Sequence, residues 1–236
     1  MPRVFIFFFL AVFVTAAPPE PHVHTFSIVA LDPKTGDLGV AVESRYFGVG
    51  SVVPWAKAGV GAVATQSLAK VSYGPDGLAL MGQGKAAPDT LRALIAKDDR
   101  REFRQVGMID AQGRTAAHTG AECIPWAGQR SGENFTAQGN LLAGEGVVTA
   151  MAEAFENARS SGAGELAEWL IAALEAGQSA GGDRRGQQSA ALLVVRAGGG
   201  PGGDNDRYVD LRVEDHAQPI TELARLLRMH RAFYRR

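Results

Sequence analysis

The sequence has one cysteine, Cys123, among 236 residues. That excludes an intramolecular disulfide framework and any multi-cysteine zinc site. An excess of one charge is also lacking: 24 Lys and Arg stand against 25 Asp and Glu, for a formal net charge of −1, and the basic residues are spread out except at the C-terminus. Composition therefore supplies no electrostatic reason to expect nucleic acid. No HExxH helix occurs, so zincin peptidases lose their main support. The Gly-rich stretch from Gly198 to Gly203 lacks the Lys-Ser/Thr of a P-loop and precedes a strand; it reads as a hairpin connection. What is present, 46% hydrophobic and 21% charged residues with 29 Gly and 11 Pro, is the mixture of a folded domain with many turns.

The long apolar run, residues 4–14, is too short to span a bilayer comfortably. It follows Arg3 and precedes Thr15, Ala16 and Ala17, which is the charged, apolar, small-residue order of a secretory signal peptide. Val14 and Ala16 suit cleavage after Ala16. This predicts a signal peptide over 1–16, a short Pro-rich leader over 17–24, and a single domain over 25–236. The expected product is periplasmic or secreted, with no stable membrane association after cleavage; an uncleaved anchor is the rival reading.

From Thr25 the chain reads strand, turn, strand: TFSIVAL, DPKTGD, LGVAVES. Apolar alternation and Asp-Pro with Gly predict a hairpin over 25–44. Similar patterns predict hairpins over 49–66 and 104–118, with Pro54 marking an edge or bulge. FTAQ predicts a short strand, SAALLVV one buried on both faces, and RYVDLRVE another after the Gly-rich loop. Helices are predicted from Gly74-Pro75, from Ala87-Pro88-Asp89, over about 146–159 and 165–176, and from Pro219, where Ile220, Leu223, Leu226, Leu227 and His230 form one stripe. Strand pairs with intervening helices point to an antiparallel α+β domain. Apolar residues in YFGVGSVVPW would suit a second copy, so a homo-oligomer stays open.

Several residues could carry chemistry. His118 ends a strand beside Gly120, from which an imidazole can face a cleft, or can make a structural hydrogen bond. Cys123 could be a nucleophile, but nothing local lowers its pKa, and a small buried hydrophobe is the simpler reading. The adjacent Asp215 and His216 would point to opposite faces of a strand, so no metal site is expected there. Thr25 and Ser27 share one face of the first strand. A Thr hydroxyl becomes a nucleophile when a base is within reach, and a free α-amine on the same residue can be that base; Thr is also simply a good strand residue. Asn140 and Asp183 sit in GN and GGD turns at strand ends and are expected to converge on the cleft of Thr25. A left-handed turn and a loop cap are the alternatives.

The segments HTFSIVALDPKTGDLGVAVESRYFGVGSVVPWAKAGVGAVATQS, SYGPDGLALM, AAHTGAECIPWAG, FTAQGNLL, GGDRRGQQSAALLVV and DLRVEDHAQPITELARLLRMH closely resemble domain-of-unknown-function family 1028, which is similar in fold to N-terminal nucleophile (Ntn) hydrolases. The resemblance implies a four-layer αββα sandwich of antiparallel sheets in which Thr25 attacks an amide carbonyl. It implies that Lys57 lowers the nucleophile's proton affinity, that Asp183 orients its amine, and that the Thr65 to Gln66 backbone donates to the oxyanion. Ser44 stands where proteasome-like members keep an acidic residue. Ser27, Ser44, Thr65, Gln66, His118 and Asn140 are the expected binding residues. The implied substrate is a small amide or peptide-like molecule, and the chemistry needs no metal or organic cofactor. The competing class is a non-catalytic exported binding protein on the same scaffold.

Overall fold

The computed structural model describes residues 19–234. The expected signal peptide, with Ala17 and Pro18 of the expected leader, lies outside the described residues. Among the described residues, two antiparallel sheets and five α-helices make an α+β sandwich. One sheet has six strands in the order β11 (Arg207–Val213), β10 (Ser189–Val195), β3 (Leu38–Ser44), β2 (Thr25–Leu31), β9 (Phe135–Gly139) and β8 (Gly128–Gly132). The other has five. There β1 (His22–Val23), β5 (Gly61–Leu68), β6 (Arg104–Asp110) and β7 (Thr115–Thr119) follow in order, and β4 (Pro54–Lys57) pairs with β5.

Alternation along β2 sorts its side chains into two cores. Phe26, Ile28 and Ala30 meet Met151, Phe155, Leu170 and Leu174 from α3 (Gly146–Ser160) and α4 (Leu166–Ser179). Val29 and Leu31 face the other way and join Val40, Val42, Ala62, Ala64 and Ile109 between the sheets. A third core, with Val63, Tyr73, Met81, Leu91, Val106 and Met108, lies under α1 (Tyr73–Gly82) and α2 (Ala87–Ile95). Each fully buried large aliphatic or Phe side chain contributes about 1.5–3 kcal/mol relative to exposure. Central strands covered on both faces explain why β2, β3 and β10 are buried along their whole length. The last helix, α5 (Pro219–Tyr234), inserts Ile220, Leu223 and Leu227 into the first of these cores.

The first hairpin forms as its turn chemistry predicts. Asp32 accepts from the Lys34 backbone N–H at 2.9 Å and the Thr35 hydroxyl at 3.0 Å, and Gly36 takes φ of 77°. The hairpin expected over 49–66 is shorter: residues 49–51 form a single 3-10 turn, and the strand starts at Pro54. Gly50 there presses against the next sheet, where a Cβ would lie 2.9 Å from Ala191 Cβ. Val49, Val52 and Val53 are consumed by the core between the sheets, which leaves Phe47 as the well-exposed apolar side chain of the stretch considered for a homo-oligomer. Among the described residues, no helix is long and apolar enough to cross a membrane.

Candidate active site at the His24–Thr25 junction

The chain passes from one sheet to the other at His24. Residues His22 and Val23 pair with Leu68 and Ser67 in the five-stranded sheet, and Thr25 pairs with Ser44 in the six-stranded one. Because Val29 and Leu31 point between the sheets, the strand period puts Thr25 and Ser27 on that same side. Both are fully buried. A chain of amides receives them. Gln138 Nε2 donates to Ser27 Oγ at 2.7 Å, and Ser27 Oγ donates to Gln66 Oε1 at 2.6 Å. Gln66 Nε2 donates to Gln105 Oε1 at 2.8 Å, where Asn140 Nδ2 also donates, at 2.9 Å. That fixes Asn140 Oδ1 as an acceptor, so His24 donates to it from Nδ1 at 2.7 Å. Burial holds the His24 pKa below the ordinary value, against the opposing effect of the Asn140 hydrogen bond.

The peptide joining His24 to Thr25 is held with equal care. The His24 carbonyl oxygen accepts from Ser44 Oγ at 2.5 Å and from Arg185 Nη2 at 2.8 Å. Arg185 is itself gripped by Asp183, at 3.1 Å through Nε and 2.6 Å through Nη2. The Thr25 carbonyl accepts from the Asn140 backbone N–H at 3.0 Å. Thr25 Oγ1, by contrast, is buried with no hydrogen-bond partner. Behind Thr25, on the helix side of the sheet, Glu43 pairs in register with Phe26 and Ala190 and is fully buried. Neither carboxyl oxygen has a well-formed hydrogen bond. Burial, reinforced by the Asp183 charge, pushes the Glu43 pKa well above the usual carboxylate range.

Comparison with known proteins bears on the whole of this arrangement. Residues 25–223 match the family described as "Family of unknown function (DUF1028)". The chain belongs to the DUF1028 family. Its fold is similar to the crystal structure of a Silicibacter pomeroyi protein, SPO2555, of the same family, with 31% identity, a TM-score of 0.78, and coverage of 88% of this chain and 89% of that one. None of the curated proteins matches.

In this DUF1028 chain the structure gathers Thr25, Ser27, Ser44, Gln66, Asn140 and Asp183 around one junction. It does not bring three other expected residues there. Lys57 is exposed and pairs with Gly61, at the far end of β5 from Gln66; at ~3.3 Å per residue that is roughly 16 Å along the strand. Thr65 faces the opposite side of β5: its hydroxyl donates to Lys70 O at 3.1 Å, and its N–H, expected to serve an oxyanion, already donates to Val53 O at 3.2 Å. His118 pairs with Val106, whose side chain lies in the core under α1 and α2, and its Nε2 meets the Arg101 carbonyl at 2.9 Å. Cys123 is buried, with burial raising its pKa, which suits packing rather than nucleophilic attack.

Four residues of the junction escaped the sequence reading. Gln105 and Gln138 both point between the sheets; Gln138 shares its face with Thr136 and carries no signal, whereas Gln105 shares its face with Ile109, and a polar residue on an apolar phase is the signal that would have found it. Glu43 carries the same signal in VAVES. Arg185 follows Asp183 by two positions, but only the fold shows that it reaches His24. A groove of about 490 Å³ lined by Thr119, Gly120, Cys123, Gly128 and Gln129 opens beside the network, where Gln105 Nε2 donates to Thr119 Oγ1 and Gly128 O. A groove of about 540 Å³ lined by Leu226, Met229 and Phe233 lies by β11, at the other edge of the six-stranded sheet. Among the described residues, no group of three or more His, Cys, Asp or Glu is placed to hold a metal ion.

Proposed function

We propose that the protein is an exported amidohydrolase with an Ntn-hydrolase-like αββα fold, made as a precursor that exposes Thr25 by cutting its own chain at His24–Thr25. The observation that carries this reading is the contrast at one peptide bond. Two donors grip the His24 carbonyl oxygen, while the buried Thr25 hydroxyl is left without a partner. A buried hydroxyl with no hydrogen bond costs about 1–3 kcal/mol, and such a cost at a site is the mark of a group kept for another purpose.

In the proposed step, Thr25 Oγ adds to the His24 carbonyl carbon through a five-membered ring. Ser44 Oγ and Arg185 Nη2 stabilise the developing oxyanion. The carbon–nitrogen bond breaks as the hydroxyl proton passes to the Thr25 nitrogen, leaving an ester between His24 and Thr25 Oγ. Water then hydrolyses the ester, which releases a leader ending in the His24 carboxylate. Thr25 now has a free α-amine, whose pKa near 7.7–8.0 fits it as the base for its own hydroxyl. The same two donors then face the carbonyl oxygen of a small amide or peptide-like substrate. Asp183 holds Arg185 in line, and Lys57 takes no part.

The alternative is a non-catalytic exported binding protein, favoured by the burial of Thr25 and by the pairing of β1, which ties the amine into an uncut chain. Intact mass of the purified protein separates the two. A chain beginning at Thr25, together with an uncut Thr25→Ala variant, is expected. Cleavage of Thr25→Ala at the same bond would refute the Thr25 mechanism. With Ser44→Ala, the cut is expected to slow about 10²–10³-fold, as for loss of one oxyanion donor. Turnover of an amide panel by the cut wild type but not by Thr25→Ala completes the test.

A further inference from the structure

The segment ahead of Thr25 sits in the protein as a ligand sits in a groove. β6 takes one edge of β5 along most of its length, whereas β4 and β1 share the other. Pro21 O accepts from the Ala69 N–H at 2.9 Å, His22 and Val23 continue as a short strand, and Val23 is fully buried in the core between the sheets. Glu20 is the anchor. Both of its carboxylate oxygens are bound by Arg104, through Nη1 and Nη2 at 2.9 Å each, and Arg100 Nη1 adds a third contact at 2.9 Å. The Arg104 side chain is only 2% exposed, and its Nε and Nη1 are held by Asp98 at 2.8 Å and Leu68 O at 2.7 Å. Lys70 also faces Asp98, at 3.6 Å.

With Glu20 removed, three cations, Arg100, Arg104 and Lys70, face one carboxylate, Asp98. That imbalance demands an anion at the place of Glu20, and a prearranged planar guanidinium prefers a carboxylate taken bidentately. At the other end of the segment, Asn140 Oδ1 takes an N–H from His24, and Ser44 and Arg185 take its carbonyl. Anchors at both ends, an apolar pocket at Val23 and an open strand edge between them are the parts of a peptide site that works by strand addition.

We propose that the Ser67–Leu68 end of the β5 edge, beyond the part that β4 covers, is a binding site for an extended acidic peptide, filled in the intact chain by residues 19–24. The ligand places a carboxylate side chain on Arg104 and Arg100, an apolar side chain in the Val23 pocket, and a hydrogen-bond-donating ring on Asn140. Its terminal carboxylate lies on Ser44 and Arg185. The site stands on this geometry whether or not Thr25 is catalytic, so its test reads binding and not cleavage.

The probe is the octapeptide Ala-Pro-Pro-Glu-Pro-His-Val-His with a free C-terminal carboxylate, labelled at its N-terminus with a fluorophore. It is titrated by anisotropy into the full chain carrying Glu20→Ala, whose own leader is weakened. Saturable binding is expected. A peptide with Ala in place of Glu, or Asp in place of Val, is expected to bind at least tenfold more weakly, and the Glu-dependent part is expected to shrink with added salt. A second full-chain variant, Val23→Ala, loosens the strand while keeping Arg104 paired, and must rank the peptides in the same order. No binding to either folded variant, or equal binding by all three peptides, overturns the proposal.

Discussion

Gly107 tests the network between the sheets most directly. It lies on β6, two positions from Gln105 and on the same face, and a Cβ added to it would sit 2.2 Å from Gln138 Oε1 and 2.6 Å from Gln138 Cδ. Its φ is not in the left-handed region, so the backbone itself accepts alanine, and the substitution gains about 0.4–1 kcal/mol from the unfolded chain. Against that, the methyl overpacks a closed interior, at about 1–3 kcal/mol. Displacing Gln138 also breaks its 2.7 Å hydrogen bond to Ser27, a further 0.5–1.5 kcal/mol or so. The expected net loss for Gly107→Ala is about 1–3 kcal/mol, read from urea unfolding. Gln138→Ala alone should also destabilise, by about 1–3 kcal/mol, through a cavity and the loss of the donor to Ser27 Oγ, which keeps its bond to Gln66. The double variant removes the clash, so the two losses should fall short of adding by about 1–2 kcal/mol. Additivity within about 0.5 kcal/mol would show that Gln138 is not where this geometry has it.

Two titrations make independent checks. Burial keeps the His24 pKa below its usual value, so the unfolded chain takes the proton first; the stability of the neutral ring is full above about pH 6.5 and is lost as pH falls beneath it. In the uncut Thr25→Ala background the urea midpoint should therefore drop more steeply between pH 7 and 5 than it does with His24→Gln added, and parallel profiles would count against a buried neutral imidazole. Glu43 runs the other way: its raised pKa makes stability full below about 4.5 and progressively lost as pH rises through the folded-state value. Glu43→Gln should thus stabilise increasingly towards pH 8, and a pH-independent difference would refute the assignment.

Much of the fold was legible because its parts carry strong local signals. The Asp32 to Gly36 turn, the alternation along β2, Pro88 at the start of α2 and the stripe of α5 each speak through residues close in sequence. β1 and β8 were not legible. The first is two residues long, and the second, GQRSG, is a polar edge strand with no apolar phase. The site divides on the same line. Thr25, Ser27 and Ser44 could be placed on their faces by counting along strands. Lys57 went astray because position along β4, and not its strand, decides its distance from Thr25. Arg185 could not be found because its role depends on a bond across 161 residues of separation, to the His24 carbonyl.

The same residues also explain why a single cut could change what the junction does. In the intact chain the groups that face the leader are matched: Ser44 and Arg185 to the His24 carbonyl, Asn140 to the His24 ring, Glu20 to Arg104. In the unaltered, uncut chain such a site takes up another molecule poorly, since any ligand must displace a partner at high effective concentration; Glu20→Ala and Val23→Ala weaken that partner. Cleavage between His24 and Thr25 would make the leader a separate molecule and end that advantage. Its departure would leave the Ser44 hydroxyl without its acceptor, Arg185 with Asp183 alone, the Asn140 amide oxygen without its His24 donor, and the buried Arg104 guanidinium short of an anion. Unpaired buried groups cost more than paired ones return, so the opened junction would favour molecules that restore the lost pairs. A peptide-like compound with a carbonyl or carboxylate at one end and an acidic group further along does so.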